Sequence, residues 1–290
     1  MRIVNLLKKL VQLLFEHRPK VNVRIEAILP DSRLKGRTAL ITGGTSGIGF
    51  SIAMAYAKSG ASVVITGRDE TRLMSAVQKL ELAAPGSTIL SVLWDNTKVF
   101  SFDDNFNNLR SLLAKKGIAP IDILVNNAGV NFKGMPNATE DEYDKVLDTN
   151  LKGVFFLSQM FGKYMVTNGI KGNILNIASS SSLRPADSAY TLSKWGIRGL
   201  TLGLAKSLAK YGITVNGIAP GPTATPMMIK DGQTDMSLGR LPLGRYIMPE
   251  EISNMAVLLV SDMGRSIMGD IIYMTGGAGI LTYDDVPYSF

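Results

Sequence analysis

From residue 37 onward, short β-branched apolar runs alternate with longer stretches of helical spacing, and this alternation restricts the fold more than any other feature of the chain. Candidate strands fall at 38–42, 62–66, 88–93, 121–126, 172–178, 214–218 and 270–274, and stretches such as 48–59 and 191–211 between them have helix length. Strands separated by such helices form right-handed βαβ units, whose strands lie parallel in one sheet. The runs are nearly all apolar rather than alternating, as a sheet covered on both faces requires. The expected fold is therefore α/β: one domain over 37–290 with a doubly wound, mostly parallel, seven-stranded sheet and helices on both faces. No internal repeat, low-complexity tract or linker interrupts it.

Composition removes several kinds of chemistry. The chain has no cysteine, so disulfides, thiolate catalysis and cysteine metal sites are excluded. Its one histidine, His17, lies near the N-terminus, which leaves neither a histidine metal cluster nor a Ser-His-Asp triad. No metal site is expected. The net charge of +7 suggests a nucleic-acid partner until it is located. Residues 1–36 hold eight Lys/Arg against Glu16, Glu26 and Asp31, an excess of five of those seven charges. The basicity belongs to an arm, and nucleic acid is not an expected partner.

That arm carries Ile3, Leu6, Leu7, Leu10, Val11 and Leu14 at helical spacing, with Lys8, Lys9 and Glu16 off the stripe. A basic amphipathic helix packed on the domain or on a sister subunit is the first reading; a membrane-surface helix and a disordered arm are the others. Lys8 and Lys9 break the apolar run and no small-residue cleavage site follows, which argues against a secretory signal. No run is long enough to span a bilayer, so a cytoplasmic location is expected.

The first strand runs into Gly43-Gly44-Thr45-Ser46-Gly47-Ile48-Gly49, where a helical pattern begins at once. A strand, a glycine turn and a helix start together direct free N–H groups and the positive helix end at a pyrophosphate. The spacing is G-x-x-x-G-x-G rather than the common dinucleotide fingerprint, so position supports the reading more than pattern does. The second strand ends in Gly67-Arg68-Asp69. Gly67 leaves room for a 2′-phosphate and Arg68 offers a planar charged fork to hold it. Asp69 is the competing carboxylate, although it could instead start the next helix. NADP(H) is thus expected over NAD(H).

Tyr190 and Lys194 are four residues apart, one face of a helix. A neighbouring cation would lower the phenol pKa toward the working range of an acid–base catalyst. With this pair, Thr42 to Gly49, Asn126-Asn127-Ala128-Gly129, Asn150, Ser179 and Pro220-Gly221 fall in an order that resembles the short-chain dehydrogenase/reductase family, single-domain branch. The likeness runs from about Gly36 to Gly277 and implies a Rossmann-type fold.

By that resemblance Tyr190 is the general acid in reduction and the base in oxidation, and Lys194 holds the nicotinamide ribose. Ser179 binds the substrate oxygen and stabilises developing negative charge. Asn150 sits at a helix irregularity and binds a water that relays protons to Lys194. Asn126 steadies the sheet, Asn127, Ala128 and Gly129 line the adenosine side, and Asp95 with Asn96 meets the adenine. Pro220, Gly221, Thr223 and Thr225 flank the nicotinamide and open a lid over about 222–248. Two departures stand out. Ser179 lies eleven residues before Tyr190, closer than is usual in the family, so Ser180, Ser181 or Ser182 stays open as the working hydroxyl. Asn96 stands where the family has an apolar residue.

The family's paired helices would be 149–165 and 189–211, with Gly196, Gly199 and Gly203 permitting close approach in a homodimer or homotetramer. The alternative is packing within one subunit. Met227, Met228 and Met236 suit an adaptable apolar pocket or plain lid packing. Leu183, Arg184 and Pro185 are candidates to face substrate, Arg184 either toward an anionic group or as a surface charge. The tail 282–290 is a candidate to reach a neighbouring subunit. The expected reaction is hydride transfer between a ketone and a secondary alcohol. The carbonyl stays open among 3-oxoacyl thioesters, sugar-derived ketones and apolar cyclic ketones. Two rivals are a sugar-nucleotide-type epimerase or dehydratase and a non-catalytic NADP-sensing protein.

Overall fold

A computed structural model describes residues 32–229 and 232–279. Residues 1–31, on which the helix expected in the arm falls, the last eleven residues, which hold the tail 282–290, and residues 230–231 lie outside the described residues.

Seven strands form one all-parallel sheet: β1 (Thr38–Ile41), β2 (Ser62–Gly67), β3 (Ile89–Leu93), β4 (Ile123–Asn126), β5 (Asn173–Ile177), β6 (Thr214–Pro220) and β7 (Ile271–Met274). Their order is β3-β2-β1-β4-β5-β6-β7, so the winding reverses between β1 and β4. The helices are α1 (Gly47–Lys58), α2 (Glu70–Ala83), α3 (Phe102–Lys115), α4 (Glu140–Leu147), α5 (Gly153–Thr167), α6 (Ala189–Leu208) and α7 (Pro249–Val260). This is the single-domain, Rossmann-type arrangement expected from the alternation, and each anticipated strand lies within two residues of its position.

Strand residues alternate between two cores. Ala39, Ile41, Val63, Ile65, Ile123 and Val125 face α1, α2 and α7, against Ile52, Tyr56, Leu73, Leu80 and Ile252. Leu40, Val64, Leu124, Ile174 and Val215 face the other way, against Phe106 and Leu109 of α3, Phe161 of α5 and Leu208 of α6. Each face is dry because both are helix-covered, and that is why the interior strands carry apolar residues on both sides. The edge strand β3 departs from this pattern: Ser91 and Leu93 are exposed.

Two polar networks tie the layers. Below the sheet, the Arg37 guanidinium pairs with Asp122 and donates to Asn173 Oδ1 (2.6 Å) and to the Val260 carbonyl (3.1 Å), joining β1, β4, β5 and α7. Inside it, Asn126 Nδ2 donates to Asn176 Oδ1 (2.8 Å) and Ser158 Oγ (2.9 Å), and Asn176 Nδ2 donates to Thr201 Oγ1 (2.9 Å). Asn126 thus holds β4 to β5 and α5, as the resemblance implied. One boundary differs from expectation. The helix expected from residue 149 starts at Gly153, because Asp148–Lys152 forms a π turn closed by Gly153 N–H to the Asp148 carbonyl.

Replacing Asn176 by Ala leaves one N–H of the buried Asn126 amide, and the Thr201 hydroxyl, without a partner they now have. The expected cost is about 2 kcal/mol, or roughly 4–8 °C in Tm for a domain of this size. Thermal unfolding followed by circular dichroism checks it; an unchanged Tm removes the network from the account of the fold.

Candidate active site

The strand-order reversal parts β1 from β4 at their C-terminal ends, where α/β sheets bind ligands. A cleft of about 850 Å³ opens there and runs along the strand ends from β3 to β6. Of the residues singled out above, Gly43, Thr45, Ser46, Gly47, Ile48, Arg68, Asp95, Asn96, Asn127, Ala128, Gly129, Ser179, Tyr190, Lys194, Pro220, Gly221, Thr223 and Thr225 line it. Gly49 and Asn150 do not.

The glycine turn is held from below. Thr42 Oγ1 accepts N–H bonds from Asn127 (3.0 Å) and Ala128 (3.1 Å), and Asn127 Nδ2 donates to the carbonyls of Thr42 (2.9 Å) and Gly43 (3.1 Å). Gly43 and Gly47 have φ of +64° and +56°, a backbone region that L side chains avoid. The Asn127 amide also explains Gly49, where a Cβ would stand 2.2 Å from Asn127 Nδ2. Gly49 therefore lets α1 approach the turn rather than facing a ligand. Ser46, at the start of α1, makes no side-chain capping bond, and no acidic residue occupies the first turn. The positive end of α1 accordingly faces the cleft without a counter-charge of its own.

At the end of β2, Asp69 caps α2 by accepting from Arg72 N–H at 3.0 Å, so this carboxylate is committed to the helix. Arg72 lines the cleft beside Arg68 and donates to Ser46 Oγ at 3.4 Å. At the ends of β2 and β3, Thr66 Oγ1, Trp94 Nε1 and Asn96 Nδ2 are buried, have no partner and border the cleft. Buried polar groups without partners are costly. Three of them together, beside a glycine cradle and an uncompensated helix start, fit a polar dinucleotide lying along this half. Asp95 borders the cleft too, but its Oδ1 is taken by Thr97 N–H and Thr97 Oγ1, both at 2.9 Å.

Beyond β5, Ser179 stands in extended backbone before a 3₁₀ turn at Ser180–Leu183. Its hydroxyl accepts from Ser181 N–H (3.1 Å) and lies near enough to the Tyr190 phenol to favour its ionised form. Ser180 and Ser181 also border the cleft, whereas Ser182 turns back to donate to the Ser179 carbonyl at 2.8 Å. Of the four serines, Ser179 is the one that meets the tyrosine. Ser188 caps α6 through Thr191 N–H (3.3 Å) and so fixes where the helix begins, with Tyr190 and Lys194 on its cleft face.

The electrostatics of this pair depart from expectation. Burial raises the Tyr190 pKa above its ordinary 10.0, and the hydrogen bond from Ser179 opposes that shift. Lys194 is itself buried, and desolvation lowers its pKa from 10.5 to about 8. Its ammonium donates to the Ile177 carbonyl at 2.8 Å and stands 5.5 Å from the centre of the Tyr190 ring. Asn150 stands in the π turn, away from the cleft lining. Its amide donates to the Val130 carbonyl (2.9 Å) and to Ser193 Oγ (3.3 Å), and its Oδ1 accepts from Val130 N–H (2.8 Å). The side chain thereby ties the loop after β4 to the π turn and to α6.

The segment after β6 closes the far side. Thr225 lies against the glycine turn, 3.3 Å from where a Gly47 Cβ would be, and Met227 and Met228 border the cleft while Met236 does not. Arg245 grips Glu251 through two bonds (2.8 and 3.0 Å) and anchors the segment's return to α7. Arg72, Thr66, Trp94 and Arg240 border the cleft without having been singled out in the sequence. The usable signal was position: Thr66 and Trp94 end strands, and Arg72 follows Arg68 by one helical turn.

Residues 37–235 match the short chain dehydrogenase family. The chain is 34% identical over 252 residues to gluconate 5-dehydrogenase of Gluconobacter oxydans, covering 84% of this chain and 95% of that protein. It is 36% identical over 250 residues to the 3-oxoacyl-(acyl-carrier-protein) reductase of Thermotoga maritima, covering 84% and 98%. Among solved structures, a short chain dehydrogenase from Burkholderia cenocepacia in complex with NADP aligns with a TM-score of 0.74 and 32% identity over 84% of this chain and 98% of that one. The chain belongs to the short-chain dehydrogenase/reductase family of oxidoreductases, which act on CH–OH and C=O groups of small molecules. No helix among the described residues is long and apolar enough to cross a membrane.

The burial of Lys194 has a thermodynamic signature in the free protein. Its folded-state pKa lies below the unfolded value, so between about 8 and 10.5 the unfolded chain binds the extra proton. Stability then rises with pH in that window. Unfolding free energy of the wild type, referred to Lys194→Met, is expected to be flat below pH 8 and to rise above it; a flat difference up to pH 10.5 contradicts the buried cation.

Proposed function

We propose that the protein is an NADP(H)-dependent oxidoreductase that interconverts a ketone and a secondary alcohol, with Tyr190 moving the proton. The observation that carries this reading is the meeting of Ser179, Tyr190 and Lys194 in one cleft with the glycine turn of α1. A phenol held protonated by burial is a proton donor at neutral pH, which suits carbonyl reduction. The Ser179 hydroxyl, already within reach of that phenol, is available to hydrogen-bond the same substrate oxygen and favours charge building up there. Lys194, charged at neutral pH, stabilises the phenolate left behind and offers its remaining protons to a ribose hydroxyl. Asn150 acts by positioning the loop that carries Gly129 and Val130. A bound NADP(H) supplies or accepts the hydride; the chain's own groups orient it and handle the proton.

The preference for NADP(H) rests on Arg68 and Arg72 together. Asp69, the residue that could have claimed a ribose diol, is occupied as a helix cap. Two guanidiniums beside Ser46 suit a 2′-phosphate, a dianion that each can hold through charge-assisted bonds. Arg68→Ala and Arg72→Ala are each expected to weaken NADPH binding about tenfold and to leave NADH within about twofold. Titration of NADPH and NADH fluorescence checks this; equal losses for both would sink the preference.

Self-association is part of the same reading. Leu192, Trp195, Gly199, Leu202 and Gly203 form an exposed stripe on α6, and Phe155 and Phe156 are exposed on α5. A Cβ at Gly199 or Gly203 would meet nothing within 4 Å, whereas at Gly196 it would meet Leu151 of the same chain. Gly196 thus serves packing within the subunit, and the other two leave a flat apolar surface for a second copy. Leu202→Glu is expected to convert a dimer or tetramer into smaller species by light scattering; an unchanged mass argues for another interface.

For the chemistry, Tyr190→Phe is expected to lower kcat by about 10²–10⁴-fold with NADPH binding retained. A ketone panel followed by NADPH oxidation measures it, and undiminished turnover removes Tyr190 from the proton transfer.

A further inference from the structure

Two arginines with no ion-pair partner among the described residues border the cleft beyond the dinucleotide half. Arg68 leaves β2, whereas Arg184 follows β5 and Arg240 follows β6. The three strand spacings between β2 and β5 amount to about 14 Å of sheet. Arg184 lies between Ser179 and Tyr190 in sequence, on the loop joining the 3₁₀ turn to α6, and Arg240 lies on the segment after β6. Both border the cleft and both are exposed.

The two are brought to one rim by the chain after β7. Gly276 and Gly277 pack on Leu243 and Pro242, just past Arg240, while Gly279 approaches Arg184, its ideal Cβ 3.9 Å from Arg184 Nε. Neither arginine has an ion-pair partner among the described residues, where Arg37, Arg245 and Arg265 each have one. On this side of the cleft the single carboxylate among the described residues is Asp187. Between the rim and Tyr190, Phe132, Met135, Met227 and Met228 offer apolar surface. The sequence left Arg184 undecided between an anion and plain solvation. A second guanidinium bordering the same cleft, with Asp187 the single carboxylate beside them among the described residues, favours the anion, because an anion that joins two cations relieves their repulsion.

We propose that this half of the cleft selects a carbonyl substrate bearing an anionic group, its apolar or hydroxylated body against the methionines and its charge between Arg184 and Arg240. The proposal rests on the carbonyl reduction argued above and adds the class of substrate. A carboxylate, with one negative charge on a planar group, and a phosphate monoester, with up to two on a tetrahedral one, both present paired acceptor oxygens that suit bidentate guanidinium.

The test uses the full chain with NADPH and matched substrates: short- and medium-chain oxo acids, their methyl esters, and phosphate monoesters of hydroxy ketones. Wild-type kcat/KM is expected to favour an anionic member over its ester by about tenfold or more. Arg184→Gln and Arg240→Gln should each lower kcat/KM for the anion about three- to tenfold, through KM, with the ester within about twofold. The double variant should erase the preference, and added sodium chloride should weaken the anion's kcat/KM but not the ester's. Whichever anion gives the larger loss identifies its source. NADPH fluorescence titration reports the fold and dinucleotide half separately in every variant. If NADPH binds and esters are reduced as well as acids, or both lose equally in the variants, the anion site is wrong while the reaction stands. If NADPH binds and no carbonyl is reduced, the reaction itself fails and the substrate class falls with it.

Discussion

The hydrogen bonds between Thr42 and the Asn127-Ala128 turn sit at the place where the winding of the sheet reverses. β1 and β4 are neighbours, yet the chain leaves them toward opposite faces, so their C-terminal ends would separate without a tie. Thr42 Oγ1 accepts from two successive N–H groups, and the Asn127 amide returns two bonds to the turn. The separation is thereby fixed at the width of a ligand rather than closed or splayed. Much of the site follows from it. Gly49 is glycine because Asn127 occupies the space of its Cβ, and Thr225 packs against Gly47 on the turn that these bonds hold.

Sequence periodicity revealed the sheet because both its faces are dry, which turns strands into apolar runs that helices interrupt. It revealed the glycine turn and the Tyr190–Lys194 pair because each depends on local spacing. It could not reveal groups that act across the fold. Arg240 and Arg184 are fifty-six residues apart and meet one cleft only through the chain after β7. The setting of Asn150 was hidden for the same reason: the π turn that carries it is a backbone event, and its side-chain partners, Val130 and Ser193, lie twenty residues earlier and forty-three later. Asp69 shows the opposite case, since a carboxylate at a helix start reads equally as ligand and as cap until Arg72 N–H is seen on it.

Electrostatics also resisted local reading. A lysine four residues from a tyrosine suggests a depressed phenol pKa, and in water that Coulomb attraction would act alone. In the folded chain both groups are desolvated, which favours the neutral form of each. The phenol moves up from 10.0 and the ammonium moves down from 10.5 to about 8, so the two move apart and the phenol becomes the weaker acid of the pair. Ser179 is then the group that resists the upward drift of Tyr190.

That arrangement suits a proton shuttle better than a simply acidic phenol would. A tyrosine with a strongly depressed pKa would be ionised at rest and could accept a proton but not give one. Burial keeps the proton on Tyr190, and Lys194, still charged at neutral pH yet close to its own pKa, limits the cost of the phenolate without forming it in advance. The hydrogen bond from the Lys194 ammonium to the Ile177 carbonyl matters here, because it pins the cation at the end of β5, the strand that also delivers Ser179. One strand end therefore positions the hydroxyl that meets the phenol and the acceptor that holds the ammonium, and the relative geometry of all three is set by the sheet rather than by a loop.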